Sequence, residues 1–433
     1  MYRVWNFISN YSLLLIVGAV SALAWANSFP SSYHHFIEFP LWFNSTIGVD
    51  IQHWTQALGP AAHHYEIGDV EKVVTLHYLV NDLLMALFFA VAGKEVWEAV
   101  ILKNGSLRGR KAATPIVATA GGMLGPVAVY LGIALLLGSD TFNAVSRGWA
   151  IPTATDIAFS YLVGRIVFGA GHPAVRFLLL LAIADDAGGL LILAIFYPSG
   201  DLAPVWLLLS FGAALGVFAL FNWLPRKLDA GKQDRPNSTK VRRWFGAWPY
   251  VLAGGVSWYG FAQSGLHPAL GLLPIVPTIP HADRAFGLFS EAEKYLKDLL
   301  NQMEHALNVP VQVVLFLFGL GSAGVEFSAI GTTTWLVLSG LLIGKPLGIF
   351  LFGWLAARVM GLGLPAGMRM ADLVVVGAVA AIGFTVALFV ASVAFTPGPV
   401  QDAAKMGALF SFGAAIVAIV VGKLFRVEKQ TIG

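Results

Sequence analysis

The sequence predicts an all-α membrane protein with about twelve transmembrane helices, and three observations carry that expectation. Of 433 residues, 57% are hydrophobic and 12% are charged, with a mean hydropathy of +0.73. The apolar residues fall into runs of the length a bilayer needs, and the basic residues gather on alternate sides of those runs. Soluble domains carry about 25% charged residues, so half the usual solvating charge is missing. A soluble core cannot absorb that excess, because the buried fraction rises slowly with chain size. A bilayer can. Cysteine is absent, which excludes a disulfide framework and a thiolate metal centre. The net charge of +3 is too small to point to nucleic acid.

A hydrocarbon core about 30 Å thick takes about 17–25 residues of helix. Twelve stretches qualify, near 11–27, 76–99, 113–137, 149–168, 175–197, 203–223, 248–264, 266–280, 309–326, 333–357, 372–395 and 404–425. The seventh and eighth are short and meet at Ser264-Gly265-Leu266. Arg3 ahead of the run Ser12–Ala26, with Ala22-Leu23-Ala24 inside it, has the outline of a secretory leader. With one basic residue before it and further spans behind it, the run reads as the first membrane helix.

Orientation follows from the positive-inside rule. With both termini cytoplasmic, 22 of the 27 Lys and Arg residues lie inside, among them Lys103, Arg108, Arg226, Arg242, Arg358 and Lys423. Lys72, Arg147 and Lys405 lie outside. The chain then reads as one transporter domain over 1–433, with a periplasmic loop at 28–75 and cytoplasmic loops at 224–247 and 281–308.

The periplasmic segment holds His34, His35, His53, His63 and His64. Their spacing is irregular and no thiol accompanies them, so a hairpin or interfacial helix is expected there rather than a metal site. The segment 281–308 reads as an amphipathic helix, with Phe289, Leu296, Leu299, Leu300 and Met303 among charges.

Few ionisable residues remain within the spans. Asp82, Lys94, Glu95 and Glu98 lie in the second, Asp156 in the fourth, Asp185 and Asp186 in the fifth, and Lys345 in the tenth. Each acid or lysine at mid-depth costs roughly 2.5–3.5 kcal/mol, so Asp156, Asp185, Asp186 and Lys345 together cost about 10–14 kcal/mol. That rivals the whole stability of an ordinary domain. A structural lysine–aspartate pair would offset one acid and leave two. Function is the better explanation.

Asp185 and Asp186 are the sharpest feature, in Leu181-Ala-Ile-Ala-Asp-Asp-Ala-Gly-Gly-Leu190. Helix neighbours point about 100° apart, so one can face a partner helix and the other a wet cavity. Two close carboxylates do not easily ionise together. A bound Na⁺ restores both anions and expels protons, and that competition alone suffices for exchange. Gly188 and Gly189 would let a neighbouring helix approach.

Asp156 sits in Ala150-Ile-Pro-Thr-Ala-Thr-Asp156, where Pro152 removes a donor and Thr153 and Thr155 can satisfy the carbonyls it frees. Gly383, in Ala380-Ala-Ile-Gly-Phe-Thr385, offers a second weak point in the eleventh span. Interrupted helices in corresponding places of two halves suggest an inverted-repeat transporter with its site at mid-depth. Asp156 and Lys345 would each counter the dipole of a half-helix end. Lys345, in Leu341-Leu-Ile-Gly-Lys-Pro-Leu-Gly-Ile349, can pair with an aspartate and release it as the site loads.

These residues resemble the NhaA-type Na⁺/H⁺ antiporters of bacterial inner membranes. The matching segments are Ala154-Thr-Asp-Ile-Ala158, Ala182-Ile-Ala-Asp-Asp186, Gly344-Lys-Pro-Leu-Gly348, Gly383-Phe-Thr385, Met303-Glu-His-Ala-Leu307 and Ser264-Gly-Leu-His267. Together they run nearly end to end. The family is itself a standard example of inverted repeats, so the resemblance implies that feature, with twelve spans and the fourth and eleventh broken and crossing. It implies Na⁺ or Li⁺ ligation by Asp186 and Asp185 helped by Thr155, a supporting electrostatic role for Asp156, and a salt bridge from Lys345 to Asp185. It implies electrogenic exchange switched on at alkaline pH, with Glu95, Glu304 and His305 in a cytoplasmic pH-responsive funnel. No cofactor is implied beyond the transported Na⁺, Li⁺ and H⁺, and a homodimer is compatible with it.

The funnel departs from the family pattern. An acidic residue followed by Lys-Arg is common at the end of the second span. Here the run is Gly93-Lys-Glu-Val-Trp-Glu98, and Asn308 replaces a common histidine. The ion site is unaffected, whereas the pH set-point is open. Three mid-depth aspartates argue against a sodium-coupled solute symporter of related fold. An intramembrane aspartyl protease needs two acids facing across separate helices, and no glycine-flanked aspartate motif is present. The absence of a Gly-x-x-x-x-Gly-Lys-Ser/Thr run disfavours an ATP-driven pump. A transporter, not an enzyme, is expected.

Overall fold

The computed structural model describes residues 13–59, 62, 65, 70–103, 105–230, 232, 234–281 and 298–430. Its helices are those of a multi-pass membrane protein. Seven helical runs among the described residues are long and apolar enough to cross a bilayer: 76–100, 112–136, 173–196, 204–228, 299–322, 332–359 and 399–424. The pair Met370–Ala380 and Phe384–Ala394, bent by 54° at its break, makes an eighth. Leu13–Ser28, Ile157–Phe168 and Trp248–Ser264 are shorter apolar helices.

Glycine sets the tightest helix contacts. Leu13–Ser28 lies on Leu299–Ser322, with Gly18 against the backbone of Phe316 and Gly319 against that of Leu15. Arg110–Leu136 meets the continuous turns Gly340–Gly344 and Lys345–Trp354 through Gly121 and Gly125 on one side and Gly344 and Gly348 on the other. Small residues let backbones touch where lipid offers no hydrophobic drive. Pro346 lacks an N–H, and the turn before it, Gly340–Gly344, widens to π-helix.

Two expected spans are drawn differently. The stretch 266–280 is not a helix. It runs as two short 3₁₀ turns, Pro268–Leu270 and Val276–Thr278, because Pro268, Pro274, Pro277 and Pro280 interrupt any α-helical ladder. Its residues are largely buried in protein, which is where irregular backbone is tolerated at membrane depth. The ninth helix starts at Leu299, ten residues before the expected edge, with Asp298 capping it through the Asn301 amide at 3.0 Å. The amphipathic stretch expected over 281–308 therefore ends as the first turns of that helix, and its residues 282–297 lie outside the described residues.

The segment 28–75 is more structured than a hairpin. Strands Pro40–Asn44, Val49–Asp50 and Lys72–Thr75 form an antiparallel sheet with Lys72–Thr75 in the centre. Helix Ile51–Leu58 covers it with Trp54, buried between Phe43 and Tyr65, each with its ring centroid 5.6 Å away. His63 and His64 lie outside the described residues. Among those described, no group of three or more His, Cys, Asp and Glu could hold a metal.

Candidate functional site

Two interrupted helices touch at their breaks, where the buried charges meet. The 3₁₀ helix Ser146–Thr153 gives way to extended backbone at Ala154, and Ile157–Phe168 begins afterwards. Pro152 accounts for the break, and the Thr153 hydroxyl donates back to the Ala150 carbonyl at 2.7 Å. Met370–Ala380 and Phe384–Ala394 break at Ala381–Gly383, where a side chain on Gly383 would crowd the Ala154 carbonyl. The Asp156 amide donates to the Ile382 carbonyl at 2.7 Å, locking one break to the other.

Asp156 is the N-cap of Ile157–Phe168 and accepts from the Phe159 amide at 3.2 Å. Its carboxylate thus faces the positive end of that helix dipole. The opposite break supplies Thr385, whose amide donates to Asp156 Oδ2 at 3.3 Å and whose hydroxyl donates to the same oxygen.

Asp185 is buried on Pro173–Phe196. Its Oδ2 accepts from Lys345 Nζ at 2.8 Å and from the Thr155 hydroxyl at 2.6 Å. Lys345 is fully buried and also donates to the Thr153 carbonyl, at the C-terminal end of the Ser146–Thr153 helix. It lies inside a continuous run, 332–359, rather than at a half-helix end of its own.

Asp185 Oδ1 is different: it is buried and has no hydrogen-bond partner. Asp185 and Asp186 line a small cavity with Phe88, Phe89, Thr153 and Gly189, with about 20 Å³ open to the centre of a water-sized sphere. That is room for one small body. Gly189 has only open space beside it, whereas Gly188 meets the Met123 side chain on the neighbouring helix. Only one of the two glycines serves helix approach.

The helical run 76–100 carries a separate cluster. Lys94, 3% exposed, lies 2.7 Å from Glu304, 3.0 Å from Glu98 and 3.6 Å from Glu95. Trp97 Nε1 donates to His281 Nε2 at 3.3 Å. His305 is exposed and is not among these described groups around Lys94. Asp82 lies nearer the other end of the helix, 3.9 Å from His267 Nε2.

Sequence reasoning undervalued three groups. Thr385 was read as part of a weak point rather than as a partner of Asp156, and the Thr153 carbonyl and the Phe88–Phe89 wall carried no signal in the sequence. A hydroxyl directly after a helix break was the available clue.

A family model described as Na⁺/H⁺ antiporter 1 matches residues 4–424. The chain belongs to this family. A Na⁺/H⁺ antiporter NhaA of Jannaschia sp. (strain CCS1) is 73% identical over 432 residues and covers all of both chains. One from Desulfitobacterium hafniense (strain Y51) is 44% identical, spanning 98% of this chain and 96% of its own. One from Geobacter sulfurreducens is 42% identical over 98% of each. Membership of the Na⁺/H⁺ antiporter 1 family places ion transport and pH homeostasis at the centre of the chain's biology.

Proposed function

We propose that the chain is a secondary active antiporter that extrudes Na⁺, and Li⁺, in exchange for H⁺ across the bacterial inner membrane. The exchange is electrogenic and rises at alkaline pH. Asp185 and Asp186 bind the cation with Thr155, Asp156 supports them electrostatically, and Lys345 holds Asp185 while the cation is absent. The observation carrying this reading is the buried, partnerless Oδ1 of Asp185, a residue that lines a small cavity with Asp186. A buried carboxylate oxygen without a donor calls for a proton or a cation. Neighbouring carboxylates keep a proton until a cation displaces it, so one set of oxygens serves both ions.

The same reading takes the chain as one transporter domain with both termini cytoplasmic and twelve passes. The eighth pass, 266–280, crosses as irregular chain. The Ser264 and Gly265 carbonyls accept from Ala203 and Ser199 at one end, and Pro280 accepts from Leu300 at the other. The spans around the two breaks, the third to fifth and the tenth to twelfth, form the inverted repeats. Glu95, Glu304 and His305 serve the pH response, with Lys94 holding the two glutamates, and two copies form a homodimer. A sodium-coupled solute symporter is disfavoured, since about 20 Å³ is far too little for an organic solute.

Asp186→Asn in everted vesicles tests the reading. Sodium-driven dequenching of a proton-gradient dye should vanish, and unchanged exchange by an inserted variant defeats the assignment.

A further inference from the structure

The helix that carries Asp185 and Asp186 is capped at its far end by a histidine. His172 precedes Pro173–Phe196, and its Nδ1 accepts from the Ala174 amide at 3.1 Å. The residue is 4% exposed and its ring stacks on Phe168 at 5.1 Å. The loop bearing it is clasped by the C-terminal tail. Gly171 N–H donates to the Gln430 carbonyl at 2.8 Å, and Gln430 N–H donates to the Phe168 carbonyl at 2.9 Å. Gly169, at φ +84°, leaves room for that tail, because a side chain there would strike the Gln430 backbone.

Charged groups reach His172 from the start of the eleventh span. Asp372, fully buried, faces it, as does Arg369, whose guanidinium donates to Asp372 at 3.3 Å and to the Arg426 carbonyl at 3.2 Å. Arg165 on the preceding helix, Arg176 on its own helix, and Arg426, Glu428 and Lys429 on the tail are exposed.

An N-cap must accept a hydrogen bond, and only neutral imidazole has a free Nδ1 lone pair. Protonation puts a hydrogen on that atom, turns it against the Ala174 N–H, and sets a cation at the positive end of a helix dipole. We propose that neutral His172 is a positioning residue for the Asp185–Asp186 helix, and that acid on the cytoplasmic side releases the cap and slows exchange. This rests on the antiporter reading above, orientation included. Burial, chiefly, and Arg369 hold the His172 pKa below its ordinary value, against the pull of Asp372. The cap is therefore complete above about pH 6.5, persists somewhat below it, and is lost as pH falls through the lowered His172 value.

Two variants separate titration from structure. Asn at an N-cap accepts a hydrogen bond at any pH, whereas Ala does not. In proteoliposomes of the full-length protein, His172→Asn should match the parent at alkaline pH and exchange about fivefold faster than the parent at mildly acidic pH. His172→Ala should lose about fivefold at alkaline pH. Superimposable pH profiles of His172→Asn and the parent overturn the proposal. Hydrogen–deuterium exchange of peptides covering 173–184 reads the cap without transport. The parent should lose protection relative to His172→Asn on acidification, and equal protection at every pH also overturns it. Absent sodium-driven flux in the parent, with that protection difference intact, faults the antiporter reading and leaves the cap standing.

Discussion

Lys345 Nζ lies 2.8 Å from one oxygen of Asp185, while the other oxygen of the same carboxylate is buried without a partner. One half of the group is satisfied by a lysine and a threonine hydroxyl. The other half has no donor, and the residue lines the small cavity shared with Asp186. A carboxylate so divided keeps one oxygen without a donor while Lys345 and Thr155 hold the other.

The pairing gives Lys345 a structural role beside the transport role proposed for it. Removing one member of a buried ion pair leaves an uncompensated charge and costs about 3–5 kcal/mol. Lys345→Ala should lower the thermal unfolding temperature in detergent at least as clearly as it lowers exchange. A variant as stable as the parent shows that the pairing does not hold the fold.

Thr385 ties Asp156 to the opposite broken helix through both its amide and its hydroxyl. A hydrogen bond to a charged group is worth about 1.5–3 kcal/mol. Thr385→Val should therefore raise the sodium concentration for half-maximal exchange by about tenfold or more, and Thr385→Ser should restore it. Sodium titration of vesicle exchange checks both.

A side chain on Gly348 would strike the Gly121 carbonyl where Lys345–Trp354 packs on Arg110–Leu136. Gly348→Ala should destabilise by about 1–3 kcal/mol through overpacking. Gly132→Ala, on the same Arg110–Leu136 helix but facing open space, should leave stability unchanged. Thermal unfolding of the two variants side by side makes the comparison.

The spans were legible because a bilayer imposes a length and a charge rule that a single sequence displays. Ten of the twelve stretches fall close to helices, the fourth and eleventh as broken ones. The eighth was misread because its Leu, Ile and Val keep the stretch apolar, while hydropathy ignores the missing amides of Pro268, Pro274 and Pro277. The ninth began early because Asp298, a cap, sits inside a charged stretch that reads as surface. At the site, the cost of burying charge marked Asp156, Asp185, Asp186 and Lys345 without any alignment. Contacts made across the fold left no local trace. Thr385 meets Asp156 from 229 positions away, and the wall made by Phe88 and Phe89 looks like any lipid-facing stretch.

The central claim is that sodium and protons contend for the same aspartate oxygens, and proton release on binding measures it directly. Sodium added to the purified protein in weakly buffered detergent solution should acidify the medium in proportion to occupancy, and Asp186→Asn should abolish the signal. Sodium uptake with no accompanying proton release, over the pH range where exchange operates, would contradict the account.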